Sequence, residues 1–177
     1  GKVLFGGPFL KYNYVNRQGI VRTNADGTLD SSFDPGSGAY GWVLAITSQP
    51  DGKILIGGTF TSYDGEPIKR IARLNADGSR DTGFNVGTGA NGSINAIAVQ
   101  ADGKVLIGGD FSLYNDIPCV RIARLNTDGS LDTGFNTGTG ITGSVKAIAV
   151  QDDGAIILAI VAGGAAGCCR LRTERPP

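Results

Sequence analysis

Gly1-Lys2-Val3-Leu4-Phe5-Gly6-Gly7 returns as Gly52-Lys53-Ile54-Leu55-Ile56-Gly57-Gly58 and again as Gly103-Lys104-Val105-Leu106-Ile107-Gly108-Gly109, a period of 51 residues. Residues 52–102 and 103–153 are identical at 34 of 51 positions. A repeat this faithful implies one supersecondary unit that cannot bury its apolar face alone, stacked so that each copy covers its neighbour.

Within a unit, Ser93–Gln100 is rich in β-branched and small residues, and Asp102-Gly103 turns the chain into Lys104–Gly109, a hairpin pattern. A polar loop holding Tyr114 and Pro118 follows. Arg121–Asn126 then reads as a third strand, and Asp128-Gly129 leads into Leu131–Asn136 as a fourth, before Gly-Thr-Gly at 138–140 carries the chain onward. Four short antiparallel strands in a unit of this length fit a β-propeller blade better than a solenoid coil, whose repeat is generally shorter. The expected fold is therefore all-β, a propeller of four-stranded antiparallel blades, about three per chain. Residues 1–35 form a partial blade without its first strand, 36–86 and 87–137 are blades, and 138–153 is the first strand of a further one. Residues 154–177 are a divergent strand and tail. The recurrent Phe9, Phe60, Phe111 and Phe33, Phe84, Phe135 are expected between blades.

Sixteen basic and sixteen acidic side chains balance, which removes the electrostatic drive toward nucleic acid or an anionic membrane surface. The longest apolar run, Ala155–Ala162, is strand-sized and far short of the about 18 residues that suggest a membrane span. The three cysteines have no disulfide or metal-knuckle spacing. The absence of Met and a start in mid-repeat lead us to expect a processed or excised piece of a longer product.

Histidine is absent, which excludes Ser-His-Asp and Cys-His catalysis and any His-ligated zinc. Carboxylates remain for a hydrolase or lyase, with Glu66 the repeat-breaking acid to examine. Asp30, Asp81 and Asp132, however, recur at one repeat position, as turn-forming groups do. No catalytic residue is assigned, and carboxylate catalysis stays an alternative to binding.

The loop Asn24-Ala-Asp26-Gly-Thr-Leu-Asp30 returns as Asn75-Ala-Asp77-Gly-Ser-Arg-Asp81 and Asn126-Thr-Asp128-Gly-Ser-Leu-Asp132. Oxygens at its first, third and seventh places are a candidate calcium set, although the spacing only partly matches an EF-hand loop. A turn whose Asn and Asp side chains bond local backbone amides explains the motif more simply. Arg22, Arg73, Arg124 and Tyr12, Tyr63, Tyr114 also repeat, and we expect the arginines to pair with the turn aspartates and the tyrosines to wedge in the loop after the second strand.

A ligand site needs residues that break the repeat. Tyr40 and Trp42 do so, since the matching positions hold Asn91 with Ser93 and Thr142 with Ser144. The sole tryptophan thus stands at the start of an inner strand, where its ring suits either a sugar or peptide ligand or a blade junction. Leu44, Asn95 and Lys146 also differ at one shared inner-strand position.

The pattern Asp-Gly-Lys-(Ile/Val)-Leu-Ile-Gly-Gly-x-Phe, followed by Arg-Ile-Ala-Arg-Leu-Asn-x-Asp-Gly-Ser-x-Asp-Thr-Gly-Phe, resembles the delta-60 repeat family, a bacterial β-propeller domain of unknown function, over about residues 1–153. The resemblance implies a propeller carried in secreted or cell-surface proteins, and no reaction, cofactor or catalytic residue. The expected activity is a non-catalytic binding or structural scaffold, with a lectin-like glycan binder as alternative. Three blades are too few to surround an axis. We therefore expect a homodimer in which the 144–151 strand of each chain pairs with the 1–35 segment of its mate, six blades in all, or seven if 154–160 adds a strand.

Overall fold

The computed structural model describes residues 1–135 and 141–171, and every regular element among them is a β-strand. The first repeat supplies β1 (Val3–Gly6), β2 (Lys11–Tyr12), β3 (Val15–Asn16) and β4 (Ile20–Thr23). The second supplies β5 (Ala39–Tyr40), β6 (Val43–Ser48), β7 (Ile54–Gly58), β8 (Ser62–Tyr63), β9 (Glu66–Pro67) and β10 (Ile71–Leu74). The third holds β11 (Ile94–Val99), β12 (Val105–Gly109), β13 (Leu113–Tyr114), β14 (Ile117–Pro118) and β15 (Ile122–Leu125). The chain continues through β16 (Ser144–Val150), β17 (Ile156–Ala162) and β18 (Ala165–Leu171).

Four main antiparallel sheets result, β1-β4, β6-β7-β10, β11-β12-β15 and β16-β17-β18. Consecutive sheets pack face to face, β1 on β6, β6 and β7 on β11, and β11 and β12 on β16. Glycine makes this approach close enough: a Cβ at Gly57 would lie 2.7 Å from Ile94 Cγ2, and one at Gly108 would lie 2.5 Å from Val145 Cγ1. Central strands β7 and β12 are buried along their whole length because a sheet covers each face. Phe60, Phe111, Phe33 and Phe84 are buried as expected, while Phe9 and Phe135 are half-buried, Phe135 against the apolar cluster shared by the third and fourth sheets.

The expected fourth strand is corrected to a single bridge per repeat, Thr23↔Leu29, Leu74↔Arg80 and Leu125↔Leu131. Asp81 ends it: its backbone N–H donates to Arg73 O at 2.8 Å, and its Oδ1 then accepts from Gly83 N at 3.0 Å, so the chain turns away before a ladder can grow. The far end of that segment, Asn136, and the Gly-Thr-Gly at 138–140 lie outside the described residues, as do 172–177.

Two local features depart from the sequence reading. The polar loop between second and third strands contains a small ribbon, β8-β9 in the second repeat, closed by Asp64-Gly65 with φ of 48° and 78°. Both values suit the two-residue type I′ turn that matches strand twist. The divergent end also continues the architecture: Gly163-Gly164, φ 56° and 83°, closes a hairpin between β17 and β18, making residues 156–171 the second and third strands of the fourth sheet.

β16 pairs with β17 from Ser144↔Val161 to Val150↔Ile156. One edge of β16 is therefore paired within its own chain, and its other edge is an outer edge of the sheet among the described residues. At the other end, among the described residues β1 pairs with β4 alone, and Val3 and Phe5 are 46% and 45% exposed where Ile54, Ile56, Val105 and Ile107 are buried.

Candidate functional site

The repeated polar residues are occupied with holding the stack together. Asp81 Oδ2 lies 2.6 Å from both Arg73 Nε and Lys53 Nζ, while the Arg73 guanidinium sits 4.7 Å over the Phe84 ring. Asp30 has the same arrangement with Arg22, Lys2 and Phe33, and Asp132 has it with Arg124, Lys104 and Phe135. Burial works against ionisation of Asp81, but Lys53 and Arg73 more than offset it and bring the carboxyl down to about 2. The Tyr63 hydroxyl donates to Gly78 O at 2.6 Å and the Tyr114 hydroxyl to Gly129 O at 3.0 Å, each bracing the turn of its own repeat.

These bonds also account for the calcium candidates. Asp26, Asp77 and Asp128 each accept through Oδ1 from the backbone N–H and the hydroxyl two residues on, Thr28, Ser79 and Ser130. Asn24, Asn75 and Asn126 point their amide nitrogens at those same hydroxyls. The seventh-place carboxylates, Asp30, Asp81 and Asp132, each carry two cationic partners. The geometry brings the loop oxygens onto local donors rather than around a shared centre. Among the described residues no three acidic or cysteine side chains converge as metal ligands. Glu66 stands exposed on the small ribbon, opposite Tyr63.

The repeat-breaking residues lie at the other end of the strands. Each inner strand shifts register near its start, between Val43 and Ala45, Ile94 and Ala96, and Val145 and Ala147. Leu44, Asn95 and Lys146 are the extra residues of these bulges, which unpair one residue and re-aim its side chain. Sequence comparison of the copies singled out this position, but only the register identifies it as a bulge.

Around the second bulge a polar group assembles from two sheets. Asp110 Oδ2 accepts from Ser93 Oγ at 2.8 Å and from Asn95 Nδ2 at 3.0 Å, with Lys146 Nζ 3.6 Å away. Asn95 Nδ2 also donates across the sheet boundary to Val145 O at 3.1 Å. Partial desolvation opposes ionisation of Asp110, yet hydrogen bonds from Ser144, Asn95 and Ser93 and the charge of Lys146 outweigh it and hold the carboxyl well below the usual range. Arg121, at φ 66° where the first repeat has Gly19, donates to Asp110 O. Nothing at Asp110 was visible from sequence beyond its being Thr59 in the preceding copy.

One sheet back, the equivalent places hold Trp42, Leu44 and Thr59. Tyr40 and Trp42 are 68% and 55% exposed and flank Gly41, where a Cβ would meet Phe60 Cα at 2.5 Å. The structure thus places both aromatic candidates on one rim, beside an exposed Leu44 and one sheet from the Asp110 group.

A stack of near-identical antiparallel sheets, the first three each built from one copy of the sequence repeat, defines a protein of β-propeller repeats. Compared with known families, the chain matches the domain of unknown function DUF5122, a β-propeller, over residues 1–33, 49–84 and 100–135, and it belongs to that family. Tyr40, Trp42, Leu44, Ser93 and Asn95 fall between the matched segments. No curated protein matches the chain.

Proposed function

We propose that this protein is a non-catalytic binding scaffold that works at or beyond the cell surface. The repeated side chains hold the sheets together, and ligand is taken at the rim of Tyr40, Trp42 and Leu44. The observation that carries this reading is the exposure of the sole tryptophan, at 55%, beside a bulge in an otherwise repeated frame. A large aromatic left in water beside the likewise exposed Tyr40 suits a face that stacks on a sugar or peptide. Titrating the protein with panels of glycans and peptides while following Trp42 fluorescence tests it; no response to any member would leave only a structural role.

A second reading, association of two copies through the end sheets, is supported by the unpaired edge of β1 and the exposed Val3 and Phe5. Light scattering that returns the monomer mass across a range of concentrations would end it.

A further inference from the structure

The geometry points to an oligosaccharide site that spans two neighbouring sheets, with Asn95, Asp110 and Lys146 as its polar half and Trp42 as its stacking half. This inference rests on the binding reading above and names the class of ligand. The polar half is built from three strands of two sheets, β11, the end of β12 and β16, and its groups fix one another: Ser93 and Asn95 hold one carboxylate oxygen of Asp110, and Asn95 ties the group to Val145 O. Asp110 and Lys146 remain 40% and 48% exposed, so both have donor or acceptor capacity left for a ligand.

The mixture of donors and acceptors selects among ligands. The Asp110 carboxylate faces the Lys146 ammonium, Arg121 is tied to Asp110 O, and an amide and two hydroxyls complete the group, so it offers donors and acceptors side by side. That composition suits a polyhydroxylated molecule, whose hydroxyls both donate and accept. The indole of Trp42 and the side chain of Leu44 supply the apolar surface that the C–H face of a sugar ring covers. Packed sheets are about 10 Å apart. The two halves, one sheet apart, therefore match a chain of several sugars rather than a single ring.

The test uses neutral hexasaccharides of glucose, mannose, xylose and N-acetylglucosamine, with a uronic acid hexamer and mixed peptides as controls, read by Trp42 fluorescence and calorimetry. Asn95→Leu and Asp110→Thr install what the preceding repeat carries at Leu44 and Thr59, so the frame accepts them. Lys146→Ala changes only an exposed side chain. The expected result is binding of at least one neutral hexasaccharide, weakened about tenfold or more by each substitution with an unchanged melting temperature. Saccharide binding that all three variants retain would overturn the assignment. Response to peptides alone would overturn the saccharide class and leave the binding scaffold standing, whereas no response to any probe would remove both.

Discussion

The guanidinium of Arg73 reaches out of its own sheet and donates to the carbonyl oxygen of Thr127 in the next repeat, 2.7 Å away. Arg22 makes the same bond to Ala76 O at 2.6 Å. One side chain thus neutralises an aspartate, covers a phenylalanine and fastens two repeats.

Arg73→Ala should therefore cost about 2–3 kcal/mol, since the largely buried Asp81 carboxylate loses one of its two cationic partners. Arg73→Lys should recover part of this, because an ammonium restores charge without the fork that reaches both Asp81 and Thr127. Chemical denaturation of the three proteins checks the order.

Acid should loosen the stack in a defined window. Asp81 ionises near 2 in the folded chain against about 3.9 when unfolded, so its contribution is complete above about pH 4 and is lost as pH falls toward 2. Asp30 and Asp132 shift in the same direction. Asp81→Asn should flatten the stability profile between pH 4 and pH 2, measured by thermal melts at a series of pH values.

Gly58 and Gly57 should respond unequally to a methyl group. A Cβ at Gly58 would stand 1.8 Å from Trp42 O, a backbone atom of the same sheet, while at Gly57 the nearest atoms are the side-chain ends of Ile94 and Ile97. Gly57→Ala should cost about 1–3 kcal/mol and Gly58→Ala more than that, with loss of folded protein visible by circular dichroism.

Tyr63→Phe should cost about 1–2 kcal/mol by leaving Gly78 O without its buried donor. Tyr14→Phe, at a residue 99% exposed, should change stability by less than about 0.5 kcal/mol. Burial, with nearby carboxylates, also pushes the Tyr63 phenol far above its ordinary value, so an ultraviolet titration should find it protonated where free tyrosine ionises.

The scaffold was legible because repetition reports structure directly. Three copies of the glycine pair, the Asp-Gly turn and the arginine, aspartate and phenylalanine set established sheet, hairpin and inter-repeat packing, and the expected pairing of Arg22, Arg73 and Arg124 with turn aspartates holds. Hydrogen bonding within a turn is less visible. The Asp132 position reads as strand by its neighbours Leu131 and Phe135, yet its side chain folds the backbone over. The small ribbon escaped because Asn13-Tyr14 and Asn115-Asp116 give weaker turn signals than Asp64-Gly65, although all three pairs adopt positive φ. Residues 163–171 lack the repeat's sequence and still form a strand, since the Gly163-Gly164 turn returns the chain to the unpaired edge of β17. Of the rim, Tyr40 and Trp42 stood out by difference, while Asp110 needed the register that brings it beside Asn95 and Lys146.

Residues 44, 95 and 146 each occupy a place the ladder does not count. Mutation there leaves the neighbouring rungs intact, so a leucine, an amide and an ammonium group can succeed one another along the same edge. Evolution can edit the grip of such a molecule one letter at a time while its skeleton is copied unchanged.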